Sequence, residues 1–235
     1  MKASIKKVFW KSVTVKKEDK YYVIYLDKHL LKTPAQSLLK LPNRKIANMV
    51  ANEWLEQERE INYKNMLANN LVNLAIDKVR HEEEEIRNLL KDYAQTDLLY
   101  YRSEKPEELI DKQSALWDPF LNWIKERFKV SFKVTHGVMP IDQPKKSLNC
   151  LKSQLNKMSI FQLACFHELV TISGSFILSL AAVERIMSPD RIWEAAILDE
   201  NWQSSVWGED DEQKINLNLK KITFFKAYEV YHSLS

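Results

Sequence analysis

Glycine is scarce in this sequence. The 235 residues contain only three glycines, Gly137, Gly174 and Gly208, and they stand far apart. A Walker-type or dinucleotide-binding phosphate loop needs two or three glycines within about eight residues. The sequence therefore excludes both loops, and it also excludes collagen-like and Gly/Ser-rich low-complexity chains. Because folds built on Gly-containing tight turns are disfavoured as well, a mostly helical protein is expected.

Cysteine and net charge are also low. The two cysteines, Cys150 and Cys165, form no CxxC pair, so we expect no disulfide framework and no zinc knuckle. A reducing compartment is the default for such a chain. The net charge is +3, from 35 basic and 32 acidic residues. A dedicated nucleic-acid domain concentrates basic charge, so a nucleic-acid adaptor is the weakest of the functions considered.

Long apolar runs are missing too. The longest one without a charge, from Leu169 to Val183, is shorter than the roughly twenty residues of a membrane span. It predicts a buried helix and no membrane insertion. The N-terminal MKASIKKVFWKSVTVKK lacks the apolar centre of a secretory signal. Together with the Lys/Asn/Ile-rich composition this favours the bacterial cytoplasm, with the mitochondrial matrix as the alternative.

The N-terminal region has the pattern of β-strands. Residues 4–33 alternate or are rich in aromatic and β-branched residues, which predicts a small meander with a tip at 16–19 and a turn at Asp27-Lys28. Asn43 is placed to cap a helix with a stripe of apolar residues at Ile46, Ala47, Val50, Ala51 and Trp54. An extended connector is expected over INYKNM, residues 61–66.

Most of the remaining chain has helical spacing. A strand is predicted over 130–138 and a break or kink at Pro119. Ser159 and Gln162 form a capping box that opens an apolar helix to about Ile186. Helices are predicted over 67–79, 82–98, 103–117, from Ser188-Pro189 onward, and over 212–233. The expected fold is α+β, with a β-rich domain over 1–65 and a helical domain over 66–235, the boundary falling as late as 105.

Motifs for catalysis are incomplete. His167-Glu168 resembles the start of a zinc-protease HExxH motif, but Thr171 stands where the second histidine is needed. There is no GxSxG nucleophile elbow, and Ser173-Gly174-Ser175 lies within an apolar stretch, where close helix packing is the simpler reading. We therefore expect no catalytic residue, metal or cofactor. The alternative function is a helical metal-dependent hydrolase using His167, Glu168 and the acidic run 209–212.

Carboxylates and tryptophans alternate near the C-terminus. Asp199-Glu200 and the run 209–212 flank Trp202 and Trp207, and the run lacks the spacing of an EF-hand. A solvated loop or a helix N-terminus is the ordinary interpretation of such a run. Acidic residues interleaved with Trp are more typical of an aromatic contact site with a polar rim. This pattern predicts an interaction protein rather than an enzyme.

Eight blocks of the sequence follow one another in a characteristic order. The N-terminal blocks are LDKHLLKTPAQSLLKLP (26–42), IANMVANEWLEQEREI (46–61), LAIDKV (74–79), YAQTDLLYYR (93–102) and QSALWDPFLNW (113–123). The C-terminal blocks are THGVMPIDQP (135–144), TISGSFILSLA (171–181) and AAILDENWQSSVWGEDDE (195–212). In this order the blocks resemble the assembly chaperones of the alpha subunit of F-type ATP synthase. Two departures occur: Asp27-Lys28-His29 stands where the family has Asp-Gly-Arg, and residues 66–69 read Met-Leu-Ala-Asn in place of Met-Pro-Leu-Thr.

The resemblance implies a non-enzymatic chaperone. It would bind the free alpha subunit as a monomer and cover the surface that the beta subunit later occupies, which prevents aggregation through that apolar interface. The implied partner-binding residues are Glu200, the leading candidate, with Asp199, Gln203, Trp207 and Asp210.

The resemblance also implies structural roles for four residues. Trp54 matches a family position. The glycines each fall inside a matching block: Gly137 in a turn after a strand, Gly174 at a close helix contact, and Gly208 at a bend beside the binding acids.

Overall fold

The computed structural model describes residues 7–208 and 210–234. The described chain divides into two compact units. Unit 1 comprises 7–83, 159–165 and 229–234, and unit 2 comprises 84–158, 166–208 and 210–228. Unit 1 thus extends past residue 65, and it includes two later segments that the sequence did not indicate. Unit 1 contains a β-sheet and unit 2 is mostly helical, so the predicted α+β class is confirmed.

The sheet of unit 1 is an antiparallel meander. Its strands are β1 (Val13–Glu18), β2 (Tyr21–Leu26) and β3 (His29–Leu30), in the order β1-β2-β3. The pairing of Leu26 with His29 leaves Asp27-Lys28 as a two-residue turn, so the departure from Asp-Gly-Arg does not disturb the hairpin. Asp27 has a φ of 53°, a conformation that aspartate tolerates better than most residues.

The meander is shorter than the sequence predicted. Residues 4–6 lie outside the described residues, and over 7–12 only Lys7 pairs, in an isolated bridge to Glu60. The first hairpin turn lies at Asp19-Lys20, because β1 continues to Glu18 and occupies most of the predicted tip. Alternating residue types therefore indicated strand beyond the part of the chain that finds a pairing partner.

The helical part of unit 1 follows the predicted capping. In α1 (Arg44–Leu55), the Asn43 Oδ1 accepts the Ile46 N–H at 3.1 Å, and all five predicted apolar residues are buried. A 3₁₀ turn (Tyr63–Asn65) replaces part of the predicted extended connector, because the Asn62 side chain accepts the Lys64 N–H. Next come α2 (Leu67–Leu74) and a π-helical turn (Ala75–Val79).

Unit 2 begins with elements that frame one long helix. They are α3 (Glu83–Gln95), a 3₁₀ turn (Leu98–Tyr100), β4 (Tyr101–Arg102), α4 (Glu107–Phe128), β5 (Thr135–His136) and α5 (Lys145–Leu155). Of the break or kink predicted at Pro119, the break is wrong, because buried Trp117 on one side and Phe120 and Ile124 on the other keep one continuous apolar face in α4. The strand predicted over 130–138 is reduced to Thr135–His136, which pairs in parallel with β4.

The C-terminal helices are α6 (Ile160–Ser173), α7 (Phe176–Val183), α8 (Pro189–Ala196), α9 (Leu198–Trp207) and α10 (Asp211–Ser233). The capping box is confirmed, since the Ser159 N–H donates to the Gln162 side chain and the Gln162 N–H to the Ser159 hydroxyl. The single apolar helix predicted to Ile186 is wrong. It divides at Gly174, and Ser175 caps α7 by accepting the Leu178 N–H.

The explanation predicted for Gly174 also needs correction. A Cβ built there would meet no atom within 4 Å, so no close helix contact requires glycine. Glycine is required by the φ of +66°, because residues with a Cβ rarely adopt that backbone conformation. Gly174 is needed for the turn between α6 and α7 and not for close packing.

A buried carboxylate organises the N-terminus of α7. Asp97 is fully buried and accepts hydrogen bonds from the Ser175 hydroxyl at 2.7 Å, the Ile177 N–H at 2.9 Å and the Leu99 N–H at 3.0 Å. Burial raises the pKa of Asp97 to about 6, and the hydrogen bonds oppose that rise only in part.

Among the described residues, none of the helices combines the length and apolarity needed to cross a bilayer.

Candidate protein-binding surface

Helix α9 carries most of the predicted binding residues on one face. Glu200, Gln203 and Trp207 are separated by three and four positions, a spacing that aligns side chains along a helix. Only Leu198 of α9 is buried. The acidic first turn, with Asp199 and Glu200, also suits the positive end of the helix dipole. Helix α9 therefore exposes a face of mixed acidic and aromatic character.

A cleft of about 380 Å³ separates this face from the first turns of α10. Glu200, Gln203 and Trp207 line it from α9. Lys214 and Lys220 line it from α10. The cleft thus carries both signs of charge beside an indole ring, a combination that can pair with charged side chains and cover an apolar one.

Gly208 joins the two walls of the cleft. It ends α9, where its N–H donates to the Ser204 carbonyl at 3.0 Å. Its φ of 88° and ψ of 164° lie in a region that only glycine populates readily. A Cβ there would meet no atom within 4 Å, so the backbone conformation requires glycine and local crowding does not.

Trp207 is the most exposed tryptophan of the cleft region, with 85% of its surface accessible, and Val206 beside it is 53% accessible. Tryptophan is costly to leave in water and is enriched at the centres of protein interfaces. An indole this exposed, next to carboxylates and amides, is the arrangement expected of a contact site for another protein.

Helix α10 adds an apolar stripe that the sequence analysis did not identify. Ile215, Leu219 and Ile222 are about half exposed or more, and their spacing of four and three places them along one side of the helix. At about 100° per residue, this stripe lies on the side of α10 opposite the residues that line the cleft. The same spacing is typical of a buried face, so the sequence offered no signal that distinguishes the two.

Asp199 does not share the cleft with Glu200. Its Oδ1 accepts a hydrogen bond from Gln113 Nε2 of α4 at 2.8 Å, and it is half-buried. Burial raises the pKa of Asp199, while the Gln113 hydrogen bond and the charge of Arg102 lower it. Asp199 lines a second cleft, of about 510 Å³, together with Arg102 and Trp202.

Asp210 lies at the start of α10. Its Oδ1 accepts the Glu212 N–H at 3.4 Å and its carbonyl accepts the Lys214 N–H at 3.0 Å, so it satisfies backbone donors of the first turn. It is exposed and does not line the cleft. The acidic run also includes Glu209, which lies outside the described residues.

Of the four predicted structural residues, Gly208 lines the cleft and the other three do not. Trp54 is buried in unit 1, where its Nε1 donates to Asn69 Oδ1 at 3.0 Å. Gly137 has a φ of +83°, and a Cβ there would lie 2.7 Å from the Glu104 carboxylate.

The described residues of the alternative hydrolase form no recognisable catalytic or metal centre. His167 and Glu168 lie on α6, and burial raises the pKa of Glu168. Asp210, Asp211 and Glu212 are exposed. Within 7–208 and 210–234, no group of three His, Cys, Asp or Glu side chains is arranged to hold a metal ion.

Comparison with known proteins identifies the class. A family model described as ATP12 chaperone protein matches residues 7–125. The crystal structure of Atp12 from Paracoccus denitrificans is similar with a TM-score of 0.92 and 30% identity, covering 97% of this chain and 98% of that one. A chaperone candidate from Agrobacterium tumefaciens has a TM-score of 0.94 and 33% identity, covering 98% of this chain and 87% of that one.

A curated relative is the mitochondrial protein atp12 of Schizosaccharomyces pombe. It is 25% identical over 226 residues, which cover 90% of this chain and 78% of the relative. The molecule is therefore an assembly chaperone of ATP synthase and not an enzyme. The chain belongs to the ATP12 chaperone family.

Proposed function

We propose that the protein binds the free alpha subunit of F-type ATP synthase and shields the interface that the beta subunit later occupies. The observation that carries the proposal is Trp207, whose exposed indole lies in a cleft with Glu200 and the two lysines of α10. A subunit waiting for its partner exposes an apolar surface with a polar rim, and this cleft is complementary to both parts of such a surface. Release follows when beta competes for the same area of alpha.

Within this proposal, each predicted residue has a distinct task. Trp207 covers apolar surface of the subunit, and Glu200 pairs with a cation on it. Gln203 lies between them and offers hydrogen bonds. Asp199 and Asp210 support the site through Gln113 and through the first turn of α10, respectively.

Co-expression of the alpha subunit with the tagged protein tests the proposal. The parent chain should keep alpha soluble and retain it on the resin. Glu200→Lys should weaken retention by roughly tenfold or more, because reversing one partner of an interface ion pair turns attraction into repulsion. Added beta subunit should displace the chaperone from alpha.

Matched controls separate binding from folding. Glu126→Lys reverses an exposed charge on α4 away from the cleft, and it should leave retention unchanged. Circular dichroism should be the same for both charge reversals. If alpha is soluble alone and never binds the parent chain, the proposed client is wrong. If Glu200→Lys binds as the parent does, the surface is wrong.

We further propose that the free chaperone is a monomer in the bacterial cytoplasm, with the mitochondrial matrix as the alternative compartment. The solved relatives come from bacteria, whereas the S. pombe relative is mitochondrial by name. Light scattering should give a mass near 27.7 kDa for the free protein. A concentration-independent mass of twice that value would contradict the monomer, and cell fractionation with antibody detection tests the compartment.

A further inference from the structure

Unit 1 contains a groove that shares no lining residue with the α9–α10 cleft. Its volume is about 730 Å³. One wall is aromatic: Phe9, 63% exposed, packs edge-on against His29 at 5.8 Å, and Tyr63, 41% exposed, packs edge-on against Trp54 at 6.3 Å. These rings are accessible and held by their neighbours, so they form a preorganised apolar surface inside the groove.

The floor of this groove carries an unsatisfied donor and an unsatisfied acceptor. Asn69 Nδ2 and Asn73 Oδ1 are buried and have no hydrogen-bond partner in the described part of the chain. Asn69 is only 2% exposed, and its orientation is determined by Trp54, whose indole N–H requires the oxygen of the amide. Buried polar groups are normally paired, and an orphaned pair lining a groove indicates a ligand that supplies the complementary groups.

The two asparagines match a polypeptide backbone. They stand four residues apart, about 6 Å along the helix, with a donor at one position and an acceptor at the other. An extended chain presents both carbonyl acceptors and N–H donors along each edge, so it can supply a partner to both side chains.

The opposite wall is the edge of the sheet. Strand β3 is a terminal strand of the meander, and the consecutive residues 29–34 all line the groove. Beyond β3, Lys32 bridges Leu38 and the Thr33 N–H donates to the Ser37 carbonyl, so only part of this edge is open to a peptide. Because successive side chains of an extended segment point to opposite faces, consecutive residues contact one groove through their edge. An extended peptide lying along such an edge is a recurrent mode of recognition.

The exposed charges at the groove are positive, which favours a ligand with acidic residues. Lys7 and Lys32 are exposed at the groove, and no aspartate or glutamate of the described residues lines it. Complementary charge steers association and specifies the partner. The occupant should therefore have acidic residues next to an apolar one.

We propose that this groove binds an extended, acidic-flanked apolar segment of the client polypeptide, separately from the α9–α10 cleft. An apolar side chain lies against Phe9 and Tyr63. A backbone carbonyl accepts from Asn69, and a backbone N–H donates to Asn73. The inference rests on the chaperone function and does not require that the client be the alpha subunit.

Fluorescence anisotropy with short peptides provides the test. The probes are overlapping peptides of about fifteen residues that tile the alpha and beta subunits of an F-type ATP synthase, a length that exceeds an average strand. The best binder is then N-methylated one amide at a time, which removes single N–H donors without changing the protein. One methylation should reduce affinity about tenfold or more, as expected when a buried acceptor loses its donor.

The variant Asn73→Leu tests whether the peptide N–H that is sensitive to methylation donates to Asn73 in the groove. Leucine has the branched side-chain shape of asparagine and removes the acceptor, so the free protein should unfold at the same denaturant concentration as the parent or a higher one. Affinity for the peptide should fall about tenfold or more, and the sensitive methylation should then have no further effect. Asn52→Leu, at an exposed position of α1, is the matched control and should bind as the parent does.

Several outcomes would overturn the proposal. They are the absence of any binding peptide, a uniform methylation scan, and an Asn73→Leu variant that binds normally or unfolds more easily. A peptide of the chain's own first six residues belongs in the panel, and if it is the tightest binder with the same methylation pattern, the groove holds that segment and not a client. If alpha as a whole fails to bind while beta peptides bind here, the proposed client is wrong and the groove assignment stands.

Discussion

Helices α7 and α9 belong to the same unit and have opposite environments. Seven of the eight residues of α7 are buried, whereas only Leu198 of the ten in α9 is buried. Helix α7 is apolar except for the buried Ser179, which is typical of a core helix. Helix α9 combines carboxylates, amides and tryptophans, and it leaves Trp207 almost fully exposed.

The two helices also differ in how their ends are held. The N-terminus of α7 is capped by Ser175 and by the fully buried Asp97. The C-terminus of α9 stops at Gly208, in open space. Because stability comes from burial and binding needs accessible surface, we expect substitutions in α7 to lower the free energy of unfolding and substitutions in α9 to lower affinity for a client.

Phe176→Ala should have the largest effect. Phe176 is fully buried and packs edge-on against Phe166 with ring centroids 5.0 Å apart. Its truncation should cost about 3–5 kcal/mol of unfolding free energy, through lost burial and the cavity left behind. Urea denaturation measures the loss, and Val206→Ala on α9 is the control, with an expected change below about 0.5 kcal/mol. Equal effects at both positions would abolish the contrast between the helices.

The pH dependence of stability should reveal Asp97. Its pKa is raised from 3.8 to about 6 in the folded state, so the folded protein holds this proton more tightly than the unfolded chain. The stability that Asp97 contributes is therefore complete below about pH 4 and is lost as the pH rises through about 6, a change on the order of 3 kcal/mol.

Comparison with Asp97→Asn isolates that contribution from the other carboxylates. The free energy of unfolding of the parent, minus that of Asp97→Asn, should fall as the pH rises from about 4 to about 7. Asp199→Asn is the comparison on α9: its pKa is also raised, but the carboxylate is only half-buried, so the same difference should fall by less. A difference that stays constant with pH would show that Asp97 is ionised throughout the range.

Gly208→Ala should have an intermediate effect on the α9 side of the comparison. Since no neighbour crowds the position, the cost comes from the backbone conformation alone and should be about 1–3 kcal/mol. Differential scanning calorimetry measures the stability, and the alpha retention assay measures the binding. The variant should bind more weakly, because the turn positions both walls of the cleft. Normal retention of alpha by Gly208→Ala would show that binding does not depend on the turn at Gly208.

Trp207→Ala should have the smallest effect on stability and a large effect on binding. The indole is 85% exposed, so its removal should change the unfolding free energy by less than about 0.5 kcal/mol. Retention of alpha should fall by roughly tenfold or more, as for a central interface tryptophan. Leu55→Ala, at another exposed apolar residue, is the matched control. If Trp207→Ala lowers the unfolding free energy and leaves the retention of alpha unchanged, Trp207 serves stability and not binding.

Local hydrogen bonding explains what could be predicted along the chain. Asn43, Ser159 and Ser188 start helices because their side chains accept backbone N–H groups within three residues. Such signals depend on adjacent residues only, and all three were recognised. The break at Gly174 was missed, because the conformation that requires glycine leaves no trace in residue spacing.

The candidate site was predictable only in part. The spacing of Glu200, Gln203 and Trp207 already places them on one helix face. It was not predictable that the Asp199 side chain lies outside this cleft. Asp199 accepts a hydrogen bond from Gln113 of α4, which is far away in the sequence. The stripe of Ile215, Leu219 and Ile222 was missed for the same reason: whether an apolar face is covered depends on other elements.

The sequence by itself determined the α+β class, the helix starts at Asn43, Ser159 and Ser188, the absence of a phosphate loop and the family, since these follow from composition, short-range hydrogen bonds and ordered blocks. Only the tertiary structure decided that α9 leaves Trp207 exposed, and that Asn69 and Asn73 face a groove without a hydrogen-bond partner among the described residues. The physical reason is that burial and hydrogen-bond satisfaction are properties of the packed neighbours, which local sequence does not specify.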